Sequence, residues 1–140
     1  MSKVSAGPWW AGPRGVDMWS GEILLELKEQ PEYGDIELVI VLSHPGYDAR
    51  WDERSKKRMA FLRANCIECV TVGTAPGPER YYKRNRYLVG HANCLVAVHD
   101  NDRTRRSGTG QTVRYAEKQR KLLVLIHPDT EAVTNVSVSI

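Results

Sequence analysis

Residues 94–128 read CLVAVHDNDRTRRSGTGQTVRYAEKQRKLLVLIHP. An apolar run, CLVAVHD, gives way to a polar loop at 100–108. A helical pattern follows in TGQTVRYAEKQR, and a second apolar run, LLVLIHP, closes the stretch. Strand, helix and strand at these lengths make a βαβ unit, whose strands lie parallel because the helix carries the chain back to the starting edge. The alternation extends upstream. IELVIVL at 36–42 is β-branched and continuously apolar, as expected of a strand covered on both faces. CIECVTVG follows as another strand, then the turn TAPGP, in which Pro78 suits the first position of the helix ERYYKRNRYLVGHA. Asp52 stands as the cap of a helix ERSKKRMAFLRAN, with Met59, Phe61 and Leu62 expected to face inward. From Gly15 onward, Val16, Trp19, Ile23, Leu24 and Leu27 keep the helical period until QPEYGD ends the segment. The whole predicts an α/β fold with a doubly wound, mainly parallel sheet and helices on both faces.

The chain has 140 residues, of which 41% are hydrophobic and 26% charged, enough for one domain with a buried core. Its expected divisions are an irregular segment at 1–10, a domain at 11–130, and a tail or edge strand at 131–140. No apolar run approaches the roughly 20 residues that span a bilayer, and MSKVSAGPWWAG lacks the apolar core of a signal peptide. The expectation is a cytoplasmic protein with no membrane partner. A net charge of +3 is too mild to argue for nucleic acid. The basic residues nevertheless bunch in ERSKKR, ERYYKRNR and DRTRR, which suits phosphate. Of the three cysteines, Cys66 and Cys69 form CIEC, but no second half-site for zinc accompanies them. Core packing is the expected role of Cys66, Cys69 and Cys94, and no metal ligand is assigned.

In an open parallel sheet, ligands sit over the carboxyl ends of the strands. Four segments there carry polar residues. In RRSGTGQT, Gly108 and Gly110 let the backbone approach an anion, Ser107, Thr109 and Thr112 offer hydroxyls, and the next helix presents free amides and a favourable dipole. On the basic helix, Arg84, Asn85 and Arg86 combine guanidinium forks with an amide; Tyr82, Leu88 and Val89 are expected in the core. In PRGVDMWSGE, Arg14 and Gly15 offer another anion-facing backbone, and Asp17 and Glu22 could take ribose hydroxyls. Trp19 either stacks on a base or fills the core. In SHPGYDARW, Tyr47 and Trp51 could wall a pocket, and His44 is expected to be merely solvated.

Three stretches, AGPRGVDMWSGEILLELK, RWDERSKKRM and RNRYLVGHANCLVAVHDNDRTRRSGTGQTVRYA, together resemble the YpsA-like branch of the SLOG superfamily. That Rossmann-like group also contains the LOG phosphoribohydrolases and the DNA-processing protein DprA. The resemblance runs from about residue 11 to about residue 130. It implies a Rossmann-like sheet and a pocket for a nucleotide or ADP-ribose-type ligand, with Arg14, Asp17, Arg84, Asn85, Gly108 and Thr109 on the motif positions. The family's opening strand with its Gly-His-Arg type loop, and the helix after it, have no counterpart here; GPWWAG stands where a second strand would end.

LOG enzymes place a glutamate within one turn of the Gly-rich loop. Here Gly110 is followed by Gln111, Thr112, Val113, Arg114, Tyr115 and Ala116 before Glu117. Without a placed carboxylate, hydrolysis of an N-glycosidic bond lacks its agent. No catalytic residue is assigned, and the leading expectation is a non-catalytic binding or sensing module without a resident cofactor. A phosphoribohydrolase is the alternative, and a DprA-like single-strand DNA binder a weaker one. A small-molecule nucleotide derivative is the expected partner, nucleic acid is disfavoured, and a homo-oligomer is left open.

Overall fold

A computed structural model describes residues 16–73, 79–102, 104 and 108–136, together with the strand at 3–6; for 3–6, 16 and 17 it describes the backbone alone. The elements are β1 (Lys3–Ala6), α1 (Val16–Lys28), β2 (Glu37–Leu42), α2 (Glu53–Ala64), β3 (Glu68–Thr71), α3 (Glu79–Gly90), β4 (Cys94–Val98), α4 (Gly108–Lys118), β5 (Leu122–Ile126) and β6 (Val133–Val136), with a short 3-10 turn at Pro31–Tyr33. This is a mixed α/β fold. The chain divides into two compact units, Met1–Arg84 and Asn85–Ile140.

In the first unit, β2 lies between β1 and β3 and pairs with both in parallel. The segment expected to be irregular thus contains a strand, in register from Lys3 opposite Glu37 to Ala6 opposite Ile40. Along β2, Leu38, Ile40 and Leu42 point to one face because side chains alternate on a strand. That face gathers Met18 and Leu24 from α1 with Met59 and Leu62 from α2 into one core cluster. Each large aliphatic side chain so buried contributes about 1.5–3 kcal/mol. Glycine at position 21 lets the two helices approach: a Cβ there would stand 3.3 Å from both terminal carbons of Leu62.

Helix α2 begins as its sequence predicts. The Asp52 carboxylate accepts from the Ser55 amide at 3.2 Å and from the Ser55 hydroxyl at 2.6 Å. Ser55, Met59 and Leu62 are buried along one stripe. Phe61 corrects the expectation: it is 56% exposed, because it stands about 200° around the helix from Met59. Helix α1 holds a similar reversal. Met18, Gly21 and Leu24 are buried, whereas Trp19, at 54% exposed, Ile23 and Leu27 lie on the outer side. The apolar spacing was genuine helical periodicity, but the core takes the stripe one residue away.

In the second unit, β5 pairs in parallel with β4 and antiparallel with β6. The residues left open between tail and edge strand therefore include a paired strand at Val133–Val136. Helix α4 covers one face of this sheet, with Val113 packed among Ala97, Leu123 and Leu125. On α3, Val89 is fully buried and Leu88 half-buried, but Tyr82 is exposed, against expectation. Of the cysteines, Cys66 is half-buried and packs against the core of the first unit, as expected, whereas Cys69 and Cys94 are exposed.

Candidate functional site

The expected ligand residues fall in both units, and each unit carries its own cluster at the carboxyl end of parallel strands. In the second unit, β4 runs into a loop that its own side chains build. The His99 amide continues the ladder to the Ile126 carbonyl at 3.0 Å, and His99 Nδ1 accepts from the Asn101 amide at 2.9 Å. That bond leaves the proton of a neutral ring on Nε2. Asn101 takes a left-handed conformation, φ 63°, which its short polar side chain tolerates. Asp100 accepts from the Asp102 amide, and Asp102 from the amide and hydroxyl of Thr104.

Helix α4 then starts at Gly108, so Gly108, Thr109 and Gly110 form its first turn, at the positive end of the helix dipole. Gly108 and Thr109 are half-buried and Gly110 is buried. Thr112 Oγ1 donates to the Gly108 carbonyl at 3.0 Å, so its proton is used within the helix. Also in this unit, Asn85 is buried, and the exposed Arg86 places its guanidinium 5.7 Å from the centroid of the Tyr115 ring. Arg14, Gly15 and Ser107 lie outside the described residues.

In the first unit, Arg84 is 1% exposed, far from the solvated basic face that a helix of this composition suggests, and it is not without partners. Asp17 sits in the first turn of α1. Glu22 is engaged in an ion pair with Arg58, whose Nε donates to Glu22 Oε2 at 3.2 Å; the contact joins α1 to α2. Its acceptor bond and charge raise the Arg58 pKa. Tyr47 and Trp51 stack edge to face at 5.5 Å and pack against the α1–α2 core. Burial, helped by the Asp48 carboxylate, pushes the Tyr47 hydroxyl up to about 12 against the opposing charge of Arg63.

The segment after β2 corrects the expectation of a merely solvated His44, which instead belongs to a cluster with Ser43, Arg80 and Tyr81. Ser43 is buried and His44 half-buried, and Ser43 Oγ lies 2.7 Å from His44 Nδ1. The His44 ring meets Tyr81 edge to face at 5.8 Å, and the Arg80 guanidinium carbon lies 5.3 Å from the same ring's centroid. Burial, and then the Arg80 charge, lower the His44 pKa. The one available signal was position: a Ser-His pair directly after a fully apolar strand stands where parallel sheets place ligands.

The family model described as the YspA SLOG family, YpsA, matches residues 9–131. The UPF0398 protein of Bacillus pumilus is 26% identical over 92 residues, which cover 64% of this chain and 48% of that protein. The UPF0398 protein of Halalkalibacterium halodurans is 25% identical over 95 residues, covering 66% and 49%, and that of Staphylococcus saprophyticus 23% identical over 93 residues, covering 65% and 48%. The chain spans about half the length of the curated relatives it matches.

Proposed function

Because the chain belongs to the YpsA SLOG family, we propose that it binds a nucleotide or nucleotide derivative, of ADP-ribose type or simpler, and senses it rather than transforming it. The observation that carries this reading is the start of α4. A Gly-Thr-Gly turn opens a helix downstream of the carboxyl end of a parallel strand, where the positive end of the helix dipole and a backbone without bulky side chains favour a phosphate. Asn85 and Arg86 supply further polar groups in the same unit. The doubly wound arrangement of the sheet and a cytoplasmic setting are parts of the same proposal. A non-catalytic role is supported by the residues available: α4 has no acid in its first turn, and Glu22, a candidate acid elsewhere, is engaged by Arg58.

The test is thermal unfolding of the full chain with mono-, di- and cyclic nucleotides, nicotinamide dinucleotides and ADP-ribose. A ligand at about 100 times its Kd adds about 2.7 kcal/mol and raises the melting temperature with concentration. Melting curves unmoved across that panel would remove the proposal. Release of free base from an AMP-like substrate would replace it with the phosphoribohydrolase reading.

A further inference from the structure

The geometry points to a second ligand site, in the first unit: a subsite for a tetrahedral oxyanion of the phosphate class, built by Ser43, His44 and Arg80. It does not rest on the nucleotide reading of α4, whose residues belong to the other unit. The first observation is an unmet donor. Arg80 Nε is buried with no hydrogen-bond partner, and among the described residues no carboxylate pairs with this guanidinium. An unpaired buried donor carries the full cost of its desolvation. Such a group in a folded protein calls for an explanation, and an acceptor that arrives from outside, an ion among them, is one.

The second observation is a donor left over on the facing strand end. The Ser43–His44 bond uses one proton. If the hydroxyl donates to Nδ1, the ring keeps an Nε2–H; if Nδ1–H donates, the hydroxyl proton is left. Either tautomer offers one further donor, and the protonated ring adds another. The third observation is that the backbone holds these groups together. The ring of Tyr81 contacts both His44 and Arg80. Gly73, leaving β3, runs so close that a Cβ would stand 2.2 Å from the Ser43 carbonyl oxygen and 2.8 Å from Arg80 Cβ.

A guanidinium fork alone suits a planar carboxylate equally well. The additional donor from a different element is what favours an anion with oxygens in three dimensions. Of the groups facing His44, Arg80 carries the charge and Tyr81 is the titratable ring. An anion between His44 and Arg80 relieves their repulsion, so binding strengthens as pH falls and the ring takes up a proton.

The experiment titrates inorganic phosphate into the full chain while following the His44 imidazole by NMR, assigned with His44→Gln. Acetate serves as the planar control. Phosphate is expected to move the His44 resonances and raise their titration midpoint. Arg80→Gln is expected to weaken phosphate at least ~10-fold, the loss of one charge-assisted contact. Arg80→Lys, which keeps the charge without the fork, should weaken it less and guards against a folding defect in the first variant. The inference is overturned if His44 is unmoved by phosphate, if Arg80→Gln binds as well as the parent, or if acetate acts as strongly as phosphate.

Discussion

The central strands of the two units read alike and are covered differently. ELVIVL in β2 and LLVLI in β5 are both aliphatic, and each is flanked by two partners. Yet β2 is buried at every position after Glu37, while β5 alternates between buried and more open positions. Leu123 and Leu125 pack with Ala97 and Val113; on the opposite face Leu122 is 56% exposed and Val96, beside Val124, 60%. Continuous apolarity therefore states that a strand tolerates cover on both faces. Whether both faces receive it depends on the helices.

That contrast is breakable by mutation. Leu38→Ala, in the α1–α2 core, is expected to cost about 2–5 kcal/mol, and Leu125→Ala a loss within the same range. Leu122→Ala should stay within about 0.5 kcal/mol of the parent. Denaturant midpoints measure all three, and a Leu122→Ala loss equal to that of Leu38→Ala would erase the difference between the strands. Next in size is Gly73→Ala. Its methyl has only backbone and an arginine stem to displace, so overpacking should cost about 1–3 kcal/mol. A neutral result would show that the exit of β3 is less crowded than described. Asp52→Ala removes the α2 cap and should cost about 1 kcal/mol, with Asp52→Asn recovering most of it.

The smallest expected effect is that of pH. His44 is depressed below its ordinary value of 6.5 by burial and by Arg80, so below that value the unfolded chain binds more protons than the folded one. The contribution of the neutral ring is thus complete above about pH 6.5 and is lost as pH falls through the lowered folded value. Unfolding midpoints in phosphate-free buffer should decline on acidification, and His44→Gln should flatten part of that decline. An unchanged slope would separate His44 from Arg80.

Much of the local structure was readable. The Asp52 cap, the β-branched run of β2 and the Gly-Thr-Gly start of α4 each rest on interactions within a few residues, where residue type and spacing suffice. Phe61, Tyr82, Trp19 and Ile23 were less readable. Their spacing says that a helix has an apolar side, and the same pattern fits a core one position around the turn. The α4 segment of the expected site could be located by its glycines. The Ser43–His44–Arg80 cluster could not, because Arg80 lies 36 residues beyond His44 and only the pairing of β3 with β2 brings the chain leading into α3 beside the end of β2.

Taken alone, the order of amino acids determined the alternation of strands and helices, the helix cap and the family, since periodicity, hydrogen-bonding side chains and ordered motifs are properties of the chain itself. Tertiary structure decided which apolar stripe is inside, that Arg84 is buried, that Glu22 is tied to Arg58, and that Arg80 keeps a donor without an acceptor. Each of these depends on what a neighbouring element supplies in cover, charge or a hydrogen-bond partner, and a neighbour in space is not written at any one position of the sequence.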